Sequence, residues 1–370
     1  MTTYGKIKKL FTAGMILGTM AQPLNAKTRI EVYYTPSETK RDYEQVKREI
    51  RHFNPQIIFN EDRLNTMPPE EYKIAIDSLR KQVDRGDVSL EDAKNKLQQE
   101  LTPTEFNDKI TEWILQTKGG KIYPTHYIQS NSEEGKEEFA QQLFNSNYDS
   151  ELDHVTNQFS RGKITSKDFI KLKERVLEYG QFLRTKDSLA SENIANVLRK
   201  SQNDTGETRV FIYKTLETPA FHNFLRRRLK GTDISVNDSL KEDEDLEFSK
   251  NPGITRFGSY DNTLHFYPYL GRDITLNAMK KAIISNILNY HFTRLKVPEK
   301  QLYKLVNLYA DKITPHFDVL AKQLSAKKLN INNKKGRNSI IQLFQLRIKE
   351  IIPRNQTEAE HTVNQMRNSN

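Results

Sequence analysis

Four carboxylates stand at places from which a sheet can bring them together. Glu38 follows a strand-like stretch in which Ile30, Val32 and Tyr34 alternate with other side chains, and Glu61 and Asp62 follow the apolar run Ile57-Ile58-Phe59. Glu217 follows Thr208-Arg209-Val210-Phe211-Ile212-Tyr213, a third strand by composition. Each acid thus falls just past the carboxyl end of a strand. If the strands are neighbours in one parallel sheet, the acids converge at its C-terminal edge, where ligand sites of such sheets lie. Carboxylates held close raise one another's pKa or demand a cation. Glu38, Glu61, Asp62 and Glu217 are therefore candidate ligands for a divalent metal of the hard, oxygen-preferring kind. Glu38, Glu61 and Glu217 are also candidate catalytic groups, with His222, just inside the helix after the third strand, as a nearby acid or base. The plain alternative is that Glu38 and Glu217 are first-turn acids favoured by a helix dipole.

No stronger local motif competes with this cluster. The chain has no HExxH, no glycine-rich phosphate loop, no GxSxG and no histidine pair at metal spacing. Of the scattered histidines, His126 in a candidate strand is the only other one worth naming; His52, His265, His291 and His316 read as structural or surface residues. Arg226-Arg227-Arg228 could hold phosphate, but Phe224, Leu225 and Leu229 set the buried stripe of that helix, so the arginines read as a solvated face.

The elements that must position these residues are legible. Residues 28–62 read as strand, loop, helix, strand: Tyr43, Val46, Ile50 and Phe53 recur at three and four residues, giving one buried helical face. Asn54-Pro55 ends that helix, because the residue before proline is pushed out of the α region. The same grammar returns at 208–236, after a long helical stretch. The expected fold is α/β: a mainly parallel sheet with a large helical insertion and a C-terminal helical region. In domain terms this gives a signal peptide over 1–26, an α/β domain over 27–237 with its insertion at about 66–200, and a hairpin or lid-like loop followed by helices over 238–352. A polar, disordered tail is expected over 353–370. The stretch 121–128 is a candidate edge strand, since Pro124 cannot serve a central one. Arg85-Gly86-Asp87-Val88-Ser89 is echoed by Arg161-Gly162-Lys163-Ile164-Thr165; the favoured explanation is a shared turn, with glycine as a positive-φ stop and Ser or Thr opening the next helix.

Bulk properties narrow the setting. Hydrophobic content of 36% with 29% charged residues over 370 positions fits a helix-rich protein with long solvated faces. The net charge of +10 comes from 58 basic against 48 acidic residues, a mixture that specifies no nucleic-acid motif. Lys6, Lys8 and Lys9, then an apolar stretch from 10 to 21, then Pro23-Leu24-Asn25-Ala26, have the layout of a secretory signal. Its core is too short and too rich in Gly and Thr for a membrane span. The expected location is therefore outside the cytoplasm, in the periplasm, the cell envelope or the medium. With no cysteine, the chain has no disulfide scaffold, thiol nucleophile or thiolate metal site.

This layout resembles the TraB/ChaN-like superfamily, which takes in erythromycin-esterase-like and Tiki-type proteins. Its members carry a strand ending in G-x-x-H, a second strand ending in an acid, a long helical insertion, and a helix leading into another strand that ends in G-x-x-H. Over residues 28–237, Thr35-Pro36-Ser37-Glu38 stands at the first element, Glu61 at the acid, and Lys214-Thr215-Leu216-Glu217 at the second element. Arg184-Thr185-Lys186-Asp187-Ser188-Leu189-Ala190 approximates the intervening helix pattern. Both histidine positions hold glutamate, and both glycines are replaced, by Thr35 and Lys214. The resemblance implies metal-dependent hydrolysis or ligand binding. Three readings follow: a divergent, inactive relative that acts mainly by binding; an active metal-assisted hydrolase using Glu38, Glu61 and Glu217 with His222; or a basic envelope-associated protein whose helical part contacts an anionic polymer or a protein partner.

Overall fold

The computed structural model describes residues 28–35, 40–60, 68–97, 105–116, 121–124, 148–200, 208–215, 218, 220–236, 258–297, 299–327, 329, 331 and 334–368. In chain order the first elements are β1 (Thr28–Thr35), α1 (Lys40–Phe53), β2 (Ile57–Asn60), α2 (Pro69–Arg85), α3 (Leu90–Leu97), α4 (Glu105–Gln116) and β3 (Lys121–Pro124). There follow α5 (Asp149–Ser160), α6 (Ser166–Lys200), β4 (Thr208–Thr215), α7 (Phe221–Arg228) and β5 (Asp233–Val236). The rest is helical: α8 (Tyr260–Thr263), α9 (Phe266–Tyr269), α10 (Leu276–Phe292), α11 (Glu299–Ile313), α12 (Phe317–Lys327), α13 (Lys334–Ile348) and α14 (Gln356–Asn368).

The strands form one all-parallel sheet in the order β3-β2-β4-β1-β5. Parallel sheets are covered on both faces, which is why Val210 to Tyr213 reads as a continuous apolar run. Ile30, Val32, Tyr34, Val210 and Ile212 face the C-terminal half of α6 (Ala190, Ile194, Leu198) and α7 (Phe221, Leu225). Tyr33, Phe211 and Tyr213 face α1, α2 and α4 through Val46, Ile50, Tyr72, Ile76 and Trp113. β1 leaves the sheet toward α1 on one face, while its neighbour β4 leaves toward α7 on the other. Two adjacent strands whose connections diverge in this way define a switch point, with a crevice beyond their carboxyl ends. Edge strand β3 stops at Pro124, as a proline-bearing strand should.

A second core lies among the C-terminal helices, built around α10. Ala282, Ile283, Ile284, Ile287 and Leu288 are all buried, so this helix is apolar around most of its circumference, the pattern of a helix at the centre of a bundle. The two cores share α6. Its 35 residues make a helix of roughly 50 Å. Leu172 and Val176 near its start pack into the helical core, and Ala190 to Leu198 pack beneath the sheet. Among the described residues no helix is long and apolar enough to cross a membrane.

Residues 166–200, within the long helical stretch, form one helix, whose internal Gly180 serves close packing: a Cβ there would lie 2.3 Å from Pro268 Cγ and 2.6 Å from the His265 carbonyl oxygen. Two sequence expectations change. Residues 258–270 do not form a hairpin. The Ser259 carbonyl accepts the Asn262 and Thr263 N–H groups, and the chain coils into α8 and α9. Its aromatics then bury to different sides, Tyr260 into the helical core and Tyr269 against α6. The tail expected to be disordered is helix α14 over 356–368. Two small buried residues one turn apart, Ala359 and Val363, anchor it. Its start is capped reciprocally, as Asn355 Oδ1 accepts the Glu358 N–H at 2.9 Å and Glu358 Oε2 accepts the Arg354 N–H at 2.9 Å. Low overall hydropathy concealed how little apolar surface a capped terminal helix needs. The 1–26 segment and His126 lie outside the described residues.

The two echoed turns have the expected form. Gly86 and Gly162 take φ of +77° and +63°. Ser89 Oγ then accepts the Asp92 N–H at 3.1 Å, and Asp168 Oδ2 accepts the Thr165 N–H at 2.7 Å, opening α3 and α6.

Candidate functional site

A buried polar cluster sits at the carboxyl ends of β1 and β4. Tyr34 and Lys214 are register partners, one residue before the strand ends at Thr35 and Thr215. Their parity puts both on the face covered by α6 and α7. Lys214 is completely buried, as is Asp187 of α6, and Lys214 Nζ stands 3.1 Å from Asp187 Oδ1. The ammonium also lies 4.9 Å from the centre of the Phe221 ring, a cation–π distance. Tyr269 of α9 donates its hydroxyl to the other carboxylate oxygen, Asp187 Oδ2, at 2.6 Å. Burial above all, and then the Asp187 charge, push the Tyr269 hydroxyl well above its ordinary range, so it stays a neutral donor. Beside this triad, Tyr34 Oη accepts the His222 backbone N–H at 3.0 Å and lies 3.0 Å from His222 Nδ1. One phenol serves both contacts when its proton goes to Nδ1, which places the neutral ring's proton on Nε2.

Among the candidates read from sequence, the structure places His222 here, nearly buried and fixed by Tyr34. Glu38, Glu61, Asp62 and Glu217 lie outside the described residues. The premise that joined them holds, since β2, β4 and β1 are consecutive in the sheet. Among the described residues no group of three or more His, Asp or Glu side chains could hold a metal ion. Within the cluster only Asp187 and His222 are of ligand type, and Asp187 already has a cation.

Sequence reasoning missed Lys214, Asp187, Tyr269 and Tyr34 as a unit. The signal was present in β4: a lysine at the same parity as Val210 and Ile212 must point into the core. Asp187 likewise shares a helical face with Ala190, Ser191, Ile194 and Leu198, all buried. The Arg226–Arg228 run lies mostly on a solvated face, as expected, with Arg226 and Arg227 exposed, but its arginines also bridge elements. Arg228 reaches Ser191 Oγ at 3.0 Å, Ser188 Oγ at 3.1 Å and Glu192 at 3.4 Å, clamping α7 onto α6. Arg226 donates to the Ile234 carbonyl at 3.3 Å.

A second buried cluster sits in the helical core. Asp261 Oδ1 accepts from Ser285 Oγ at 2.7 Å and Oδ2 from Asn289 Nδ2 at 2.6 Å, while Tyr148 donates to the Asp261 carbonyl. Burial raises the Asp261 carboxyl above its ordinary 3.8, against hydrogen bonds from Ser259, Ser285 and Asn289 that lower it. A carboxyl whose folded value exceeds its unfolded value binds its proton more tightly in the fold. Its contribution to stability is then fully present below pH 3.8 and is lost as pH rises through the raised value. The stability of the natural chain minus that of Asp261→Asn, measured by urea unfolding, is expected to fall as pH is raised from about 4 to neutrality; a difference that grows with pH contradicts the assignment. Elsewhere, Leu308, Tyr309, Ile351, Pro353 and Met366 line an open groove of about 970 Å³ between α11 and α14. No family model, curated protein or solved structure matches the chain.

Proposed function

We propose that this chain acts by binding, on a hydrolase-like α/β scaffold whose reaction site has been given over to an internal ion pair. The buried Lys214–Asp187 pair at the carboxyl end of central strand β4 carries this reading. Lys214 stands at the glycine position of the second G-x-x-H element in the layout the chain resembles, so an ammonium has entered the place where metal chemistry would be organised. An ion brought near that ammonium meets a charge that Asp187 already neutralises, so the pair offers it no net attraction. Asp187, its oxygens taken by Lys214 and Tyr269, has little to offer such an ion. The basic start and apolar stretch of the first 26 residues favour action outside the cytoplasm. There the surplus positive charge suits an anionic envelope polymer or a protein partner.

A second reading is metal-assisted hydrolysis by Glu38, Glu61 and Glu217, with Asp62 as a further ligand and His222 as acid or base. The adjacency of β2, β4 and β1 favours it, because the segments bearing those acids leave neighbouring strands. Thermal melts with Mg, Ca, Mn and Zn separate the two. A ligand at about 100 times its dissociation constant adds about 2.7 kcal/mol. The binding reading expects no metal to raise the melting temperature. A rise with any of the four ions that disappears in both Glu38→Gln and Glu217→Gln overturns it in favour of the hydrolase.

A further inference from the structure

We infer that residues 258–272 form a latched strap over the sheet's crevice, and that breaking the Tyr269–Asp187 hydrogen bond opens the crevice without unfolding the chain. The strap is anchored at one end and latched at the other. At its start, Asp261 is held by Ser285 and Asn289 of α10, and the Tyr260 N–H is held by Asn307 of α11. These bonds tie it to the helical core. Its middle runs against α6 at Gly180, where any side chain would collide with Pro268 and with the His265 carbonyl. Its end passes Arg184 at Gly271, where a Cβ would lie 2.5 Å from the guanidinium. Between these two contacts, Tyr269 reaches the crevice and donates to Asp187 Oδ2.

The packing on either side of the latch differs in kind. Tyr269 belongs to a small group of four buried residues with Phe182, Leu183 and Ala220, bordered by the partly buried Tyr179, Phe224 and Leu270. Tyr260 and Leu264, by contrast, belong to the main helical core. A segment joined to a large core at one end and to a four-residue buried group at the other opens first at the weaker end. Opening there uncovers Asp187 and, with it, the buried ammonium of Lys214. The strap thus connects the helical core to the crevice, and a ligand entering the crevice has to displace Tyr269. The inference concerns mechanics and stands apart from whether a metal binds nearby.

The test is acylation of lysines by an amine-specific reagent under native conditions, read residue by residue by mass spectrometry. In the natural chain Lys214 is expected to react far more slowly than exposed lysines such as Lys230 and Lys304. A hydrogen bond to a charged group contributes enough that its loss in Tyr269→Phe should speed Lys214 acylation on the order of tenfold or more. Tyr267→Phe, which removes a hydroxyl from the same strap without touching Asp187, should leave the rate unchanged. Lys214 reacting in the natural chain as fast as the exposed lysines overturns the inference, as does a folded Tyr269→Phe with no acceleration. If Tyr269→Phe does not fold, hydrogen exchange of the natural chain decides. Amides of 266–271 should exchange well before those of β4 and α10, and equal rates sink the strap.

Discussion

Replacing Lys214 with methionine is expected to cost about 3–5 kcal/mol of folding stability, because it leaves the fully buried Asp187 carboxylate without its cation. Asp187→Leu is expected to cost a similar amount by stranding the ammonium. The double variant Lys214→Met/Asp187→Leu should recover most of the loss, since neither charge then needs solvating and the site is walled by Phe221, Leu183 and Ala220. Urea unfolding of the four proteins gives the coupling between the two residues directly. Additive single effects would mean that the charges do not depend on each other, and the ion pair would lose its place in the argument. The double variant also bears on function. A buried ion pair is commonly no more stabilising than the apolar residues that could replace it. A double variant as stable as the natural chain would leave stability unable to explain why a lysine and an aspartate occupy the switch point, which strengthens the case for a binding role.

The sheet was legible in the sequence because its signals are local. Alternation at Ile30, Val32 and Tyr34, the apolar run at 57–59 and the stripe from Tyr43 to Phe53 each report burial within a few residues. The adjacency of β2, β4 and β1 was only a condition for the acids to converge, and the strand order meets it. The site was only half legible. The acids at the strand ends point to the same sheet edge as the buried polar cluster, and His222 is part of that cluster. Its central pair is formed instead by Lys214 and Asp187, 27 positions apart, completed by Tyr269 from 82 positions beyond Asp187. No local period reports such a contact. The lysine in β4 could still have been flagged, since β-strand parity alone sends it inward. The hairpin or lid-like loop expected after residue 237 differs for a related reason: residues 258–270 are enclosed between α6 and α10, where the chain coils into short helices.

The last expected result rests on the two echoed turns, which the chain uses in different surroundings. Gly86 and Gly162 both adopt positive φ, so alanine at either should cost about 1–2 kcal/mol for the left-handed backbone. At Gly86 nothing lies within 4 Å of an added Cβ, so the cost should end there. At Gly162 the Cβ would fall 2.1 Å from the Ser325 backbone nitrogen and 2.3 Å from its Cα, and neither atom can rotate aside. Gly162→Ala should therefore cost about 1–3 kcal/mol more than Gly86→Ala, the usual range for overpacking. Equal losses in urea unfolding would mean that α12 yields to the new methyl group, and that the close approach does not hold the turn. The shape of the unfolding curve carries further information. The turn at Gly162 opens α6, which runs unbroken from the helical core to Asp187 and on beneath the sheet. Damage at Ser325 should thus shift one cooperative transition for the whole chain. If Gly162→Ala instead splits unfolding into two steps, with the sheet melting at its natural denaturant concentration, then α6 does not couple the two cores.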